Sequence, residues 1–105
     1  MTVDRSWRNH DTRALFSAVL TLETVDEAAI FFRDLCTRKE ISDLSQRWAV
    51  VRQLDRGLSY RQISEITGAA TATITRINQW LRHGTGGYRL ALSRVKSSPE
   101  SEQSR

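Results

Sequence analysis

The thirteen residues GAATATITRINQW, Gly68 to Trp80, decide how this chain folds. Thr71 to Thr75 is rich in β-branched side chains and nearly alternates, as a half-buried strand does. Ile74, Ile77 and Leu81 instead recur at i, i+3 and i+7, the spacing of one helical face. Threonine or isoleucine in a helix costs only a few tenths of a kcal/mol each. Burying the three apolar residues returns about 1.5–3 kcal/mol apiece. The balance favours a helix from about Ala70 to Arg82, with Thr71, Ala72, Thr73, Thr75, Arg76 and Gln79 on the face away from Ile74 and Ile77.

The flanking sequence supports a helical context. Three capping boxes follow one another: Thr24 with Glu27, Thr37 with Glu40, and Ser59 with Gln62. The second opens a long helix ending near Arg56, with Gly57 as its stop. The third opens a short helix ending near Thr67, followed by Gly68. An earlier helix is expected from about Thr12 to Leu22, carrying Leu15, Phe16, Val19 and Leu20. The long helix places Ile41, Leu44, Trp48 and Val51 on a heptad-like seam. There is no Asn-Gly or Asp-Gly hairpin signal, and the one proline, Pro99, lies near the C-terminus. The fold class is therefore all-α. Residues 1–10 and 93–105 are polar and aperiodic and are expected to be a disordered arm and tail, leaving 11–92 as the folded domain.

Composition narrows the function. Apolar residues make up 39% of the 105-residue chain and charged residues 27%, as in a soluble domain. No apolar run nears the roughly 20 residues a bilayer span needs, and the N-terminus lacks a signal-peptide core. A single cysteine, Cys36, excludes an internal disulfide. These features together point to the cytoplasm. The formal charge is +4, but its distribution says more: no acidic residue lies between Glu65 and Glu100, a stretch holding Arg76, Arg82, Arg89, Arg94 and Lys96. That asymmetry suits a polyanionic partner. A solvated basic tail is the plainer reading of the same charges. There is no phosphate-binding glycine loop, zinc pattern or catalytic Ser/His/Asp spacing, so neither an enzyme nor a metal or other cofactor is expected.

The segment Gly57 to Leu81 has the pattern of a helix-turn-helix, spanning about 59–82. Ile63 and Ile66 face inward on the first helix, Ser64 is small where a second helix crosses, and Gly68 makes the turn. Short hydroxyl and methyl groups on the second helix allow close approach to base edges. Arg61 and Arg76 are placed to fork onto guanine or phosphate, and Gln62 lies beside Arg61. Arg76 has a competing reading as an ion-pair partner of a neighbouring helix. Phe31 and Phe32, in a wide apolar band on the helix before Cys36, read either as intramolecular core or as a homodimer surface. Trp7 reads as an incidental exposed ring or as an anchor on a partner.

The phrases FFRDLCT (31–37), KEI (39–41), TG…TATITR (67–76) and GTGGY (84–88) occur in the order in which they recur in the Trp-repressor-like family. The chain resembles that family from about Leu15 to Leu92, and its YerC/YecD branch most of all. The resemblance implies an intertwined all-α homodimer that binds double-stranded DNA as a sequence-specific transcriptional regulator, a repressor. It would present one recognition helix (70–82) per protomer to successive major grooves. Arg61 matches a DNA-contacting arginine of the family, whereas Ser64 stands where Trp repressor has a DNA-contacting lysine. Arg47 and Arg76 match the corepressor-holding arginines, and Thr37 a threonine contributed across the dimer. Arg47 reads equally well as an exposed or salt-bridged helix residue. Ile77 and Trp80 replace the small residues of that pocket, so the pocket is expected to be self-filled, with no tryptophan requirement. Two alternatives remain: the helix-turn-helix subunit of a transposase, which usually continues into a coiled coil, and an adaptor binding protein or RNA.

Overall fold

A computed structural model describes residues 6–97. Among them the chain forms six helices and no strand: α1 His10–Val19, α2 Val25–Leu35, α3 Arg38–Asp55, α4 Tyr60–Thr67, α5 Thr71–His83 and α6 Gly87–Ser97. The all-α reading holds. The chain divides into two compact units, one running to Ile41 and one starting at Ser42.

In the first unit the capping residues set the helix starts. Asn9 precedes α1, its side chain accepting from the Thr12 N–H at 3.0 Å while Thr12 Oγ1 accepts from the Asn9 N–H at 2.9 Å. This box moves the start of α1 to His10, into the arm expected to be disordered. The other end of α1 falls at Val19 rather than Leu22. Trp7 stands edge-on to Phe16 with ring centroids 6.4 Å apart, and the Arg8 guanidinium lies 5.7 Å from the Trp7 ring centre. Residues 1–5 of that arm lie outside the described residues. At α2, Thr24 accepts from the Glu27 N–H at 3.0 Å, but Glu27 reaches one residue further back than expected, to the Glu23 N–H at 2.8 Å. Thr37 and Glu40 form a reciprocal pair at the start of α3. Neither α1 nor α2 buries a single residue, and Leu20 is 85% exposed.

The second unit holds a true core. Val50, Val51, Ile63, Ala69, Ile74, Ile77 and Leu92 are buried together, with Trp48, Leu54, Leu58, Tyr60, Leu81 and Tyr88 packed around them. Each helix from α3 to α6 therefore contributes an apolar stripe to one cluster. At the end of α3, Gly57 takes a left-handed φ of 82°, and the buried Gln53 accepts from Arg56 Nη1 at 3.1 Å. Ser59 and Gln62 form the expected capping box on α4.

Three further expectations differ from the structure. Ile66, expected to face inward beside Ile63, is 60% exposed. The inner stripe of α4 instead runs Tyr60, Ile63, Ser64, Thr67, spaced i, i+3, i+4 and i+7. Thr67 uses its hydroxyl locally, donating to the Ile63 carbonyl and accepting from the Ala69 N–H, so it closes the stripe as a turn residue. Leu44, expected on the α3 seam, is 45% exposed, because the residues of α3 packed on the core begin only at Trp48. The expected tail from residue 93 is helical as far as Ser97. Leu92 is buried and Lys96 pairs with Asp55 at 2.6 Å, and no proline interrupts the run before Pro99. Residues 98–105 of that tail lie outside the described residues.

Gly68 is the backbone position the turn depends on. Its φ is +77°, and a Cβ there would meet nothing nearer than the Gln46 side-chain nitrogen at 4.0 Å. The cost of a side chain is thus conformational, not steric. Gly68→Ala is expected to destabilise the chain by about 1–2 kcal/mol, read from chemical denaturation. Gly87→Ala, at a helical position with open space around it, is expected to leave stability unchanged or to raise it.

Candidate nucleic-acid interface

The core clamps α5 by one face and leaves the other to solvent. Ile74 and Ile77 are buried, the latter 1% exposed. Thr71, Ala72, Thr75, Arg76 and Gln79 are exposed, and Thr73 is half-buried at the edge. Ala70 precedes the helix without any side-chain cap, so the first-turn N–H groups of α5 are left without a capping acceptor. The exposed face thus offers small side chains, two amide or guanidinium donors and a helix N-terminus, which together favour an anionic, groove-shaped partner.

Three side chains, making four hydrogen bonds, fix α5 and α4 in place. Gln46 of α3 donates through Nε2 to the Thr67 carbonyl at 3.2 Å, satisfying a carbonyl in the last turn of α4. Asn78 of α5 donates through Nδ2 to the Tyr60 hydroxyl at 3.0 Å, joining the two helices of the motif. Arg89 of α6 forks onto the carbonyls of Leu81 and Arg82, at 3.0 and 3.2 Å, near the end of α5. Sequence pattern marked neither Gln46 nor Asn78, and Arg89 only as one of the basic residues of a candidate polyanion surface. Their partners lie 21, 18 and seven to eight residues away, and no local periodicity links such positions.

On α4, the Arg61 side chain is 91% exposed and stands 3.7 Å from Glu65. A pair this exposed is worth about 0–1 kcal/mol, so the guanidinium is available for exchange onto a phosphate. Gln62 is exposed, but its carbonyl oxygen accepts from the Ser59 N–H at 2.9 Å, which leaves only its NH₂ group for other contacts. Among the described residues Arg76 forms no ion pair.

Arg47, Arg76, Ile77 and Trp80 come together around one cavity of about 200 Å³, whose other walls are Asp43, Gln46 and Thr73. Ile77 belongs to the core, while the Trp80 side chain forms a cavity wall and is half exposed. Thr37 lies in the first unit, where its hydroxyl caps α3. Among the described residues there is no cluster of three or more His, Cys, Asp or Glu able to hold a metal ion, and no helix long and apolar enough to cross a membrane.

A helix-turn-helix clamped on a small apolar core, with an exposed polar and basic second helix, places the protein among helical DNA-binding folds. Residues 10–96 match the family model described as Trp repressor protein, and the chain belongs to that family. It is 42% identical over 104 residues to YerC of Bacillus subtilis, an uncharacterised protein, with 99% of this chain and 98% of that one covered. Two crystal structures share its fold. One, a TrpR-like protein from Eubacterium eligens, has a TM-score of 0.84 at 41% identity, over 89% of this chain and 96% of that one. The other, a candidate Trp repressor from Staphylococcus aureus, has a TM-score of 0.84 at 38% identity, over 91% and 96%. The family is one of regulatory DNA-binding proteins rather than enzymes.

The Gln46 brace is testable apart from any ligand. Gln46→Ala is expected to cost about 1 kcal/mol in chemical denaturation through loss of the part-buried bond to Thr67. Hydrogen exchange at the α4–α5 turn should rise in parallel.

Proposed function

We propose that the protein is a homodimeric, sequence-specific DNA-binding transcriptional regulator of the cytoplasm that represses by occupying an operator. The observation that carries this reading is the two-sided character of α5. Ile74 and Ile77 fix the helix to the core, while Thr71, Ala72, Thr75, Arg76 and Gln79 stand clear of it. In a major groove, threonine methyls meet thymine methyls, hydroxyls meet phosphates, and Arg76 forks onto guanine or phosphate. Arg61 and Gln62 of α4 reach the adjacent backbone.

Dimerisation is supported by the first unit. Two helices that bury no residue, with Leu20, Val25 and Ile30 more than two-thirds exposed, require a partner surface to hide them. Two recognition helices then meet successive grooves about 34 Å apart. The transposase alternative expects a coiled coil after the motif. Here α6 folds back onto the core through Leu92 and the Asp55–Lys96 pair, which favours the regulator.

The regulator works without free tryptophan. The cavity beside Arg47 and Arg76 holds about 200 Å³, below the roughly 300–1,000 Å³ of ordinary ligand pockets. Ile77 and Trp80 take up its walls, so Thr37, Arg47 and Arg76 are remnants of an effector site in this reading.

Binding to duplex DNA measured over a range of salt tests the proposal. Log K should fall steeply with log salt, and the pair Arg61→Ala and Arg76→Ala, which removes two arginines from each protomer, should reduce the slope by about two to four, depending on whether Arg76 meets guanine or phosphate. A chain that ignores duplex DNA at low salt contradicts it. Adding L-tryptophan should leave the affinity unchanged; a gain of about tenfold, about 1.4 kcal/mol, contradicts the self-filled pocket.

A further inference from the structure

The Arg82 side chain played no part in the interface described above, yet it forms a connected unit with Asn78 and Tyr60. Asn78 Nδ2 donates to the Tyr60 hydroxyl at 3.0 Å, and Asn78 Oδ1 accepts from Arg82 Nε at 3.2 Å. An arginine can only donate, so the amide oxygen must face Arg82 and the amide nitrogen must face Tyr60. The half-buried Tyr60, packed on the core, thereby fixes the Asn78 amide, and that amide holds the Arg82 guanidinium by one edge. Among the described residues nothing takes the two terminal nitrogens of Arg82, which is exposed.

The direction of this guanidinium matters. Thr71, Thr75, Asn78 and Arg82 follow one another at spacings of four, three and four residues, a single stripe along α5. Eleven residues of helix carry that stripe about 16 Å from Thr71 to Arg82. A B-DNA major groove is only about 12 Å wide. With the Thr71 end of the stripe in the groove, its Arg82 end runs past the groove wall and meets the sugar-phosphate backbone.

We infer that Arg82, oriented through Asn78 and Tyr60, is a binding site for a backbone phosphate of duplex DNA at the far end of the recognition helix. The inference rests on α5 being the recognition helix and adds a contact to it. Arg82 touches the phosphate with its terminal nitrogens. Asn78 and Tyr60 are positioning residues, acting through Arg82. Because a phosphate is present at every step, this contact carries affinity and register and no base preference.

The test uses the full chain and a mixed-sequence duplex, with binding followed across a salt series. Arg82→Ala, which removes one contact from each protomer of the dimer, should weaken binding about tenfold at moderate salt and reduce the slope of log K against log salt by about two. Arg82→Lys, which keeps the charge, should restore the slope. Asn78→Ala should weaken binding in the wild-type background and have no further effect in the Arg82→Ala background, which a merely structural asparagine would not do. Wild-type binding with an unchanged slope for Arg82→Ala overturns the site alone. An equal cost of Asn78→Ala in both backgrounds overturns the positioning role. A wild-type chain that ignores the duplex overturns the recognition-helix reading and this inference together.

Discussion

Everything the second unit offers to a partner depends on the burial of Ile63, Ile74 and Ile77 against Val50 and Val51. All five are at or below 1% exposure, and they are the points at which α4 and α5 are fastened to α3. A helix of 13 residues rich in threonine has little reason to hold its shape in isolation. Fastened at two positions on one face, it becomes a rigid rod whose opposite face is free for contact. The hydrogen bonds from Gln46, Asn78 and Arg89 then set its angle and hold its C-terminal end. Apolar burial supplies the attachment, and polar contacts supply the aim.

The chain divides its surfaces by chemistry as well as by position. The first unit has apolar side chains in the open and no buried residue, a surface that is incomplete without a partner copy in the proposed dimer. The second unit has its core enclosed and its cations outside, several of them already committed within the chain. Lys96 is held by Asp55 and Arg89 by the α5 carbonyls, which anchors α6. Arg61 has only the exposed Glu65, and Arg76 has no ion pair among the described residues. The basic excess of this region is therefore partly structural and partly available, a distinction that net charge alone hides.

Much of this was legible in the sequence. The caps at Thr24, Thr37 and Ser59 and the left-handed glycines 57 and 68 are local chemistry, and local chemistry is what a pattern of residues records. The burial of Ile74 and Ile77 followed from their spacing, and so did the open face of α5. What escaped depended on tertiary partners. Ile66 has the same spacing from Ile63 as a core residue, but the inner side of α4 runs through Tyr60, Ile63, Ser64 and Thr67 and leaves it outside. The continuation of α6 past Leu92 carries Lys96 to Asp55, some forty residues earlier, a pairing that no local pattern records. The Asn9–Thr12 box was readable in principle, since Asn-x-x-Thr before a helix is a local signal, but the polar run around it reads as an arm.

In the proposed dimer each protomer presents one rigid recognition helix, and the two face the same side of a duplex. Hydroxyl-radical footprinting of the protein on a bound operator measures this most directly. Two protected patches on one face of the DNA, centred about 10 base pairs apart, are the predicted result. A single patch, or protection spread evenly along both strands, would contradict it.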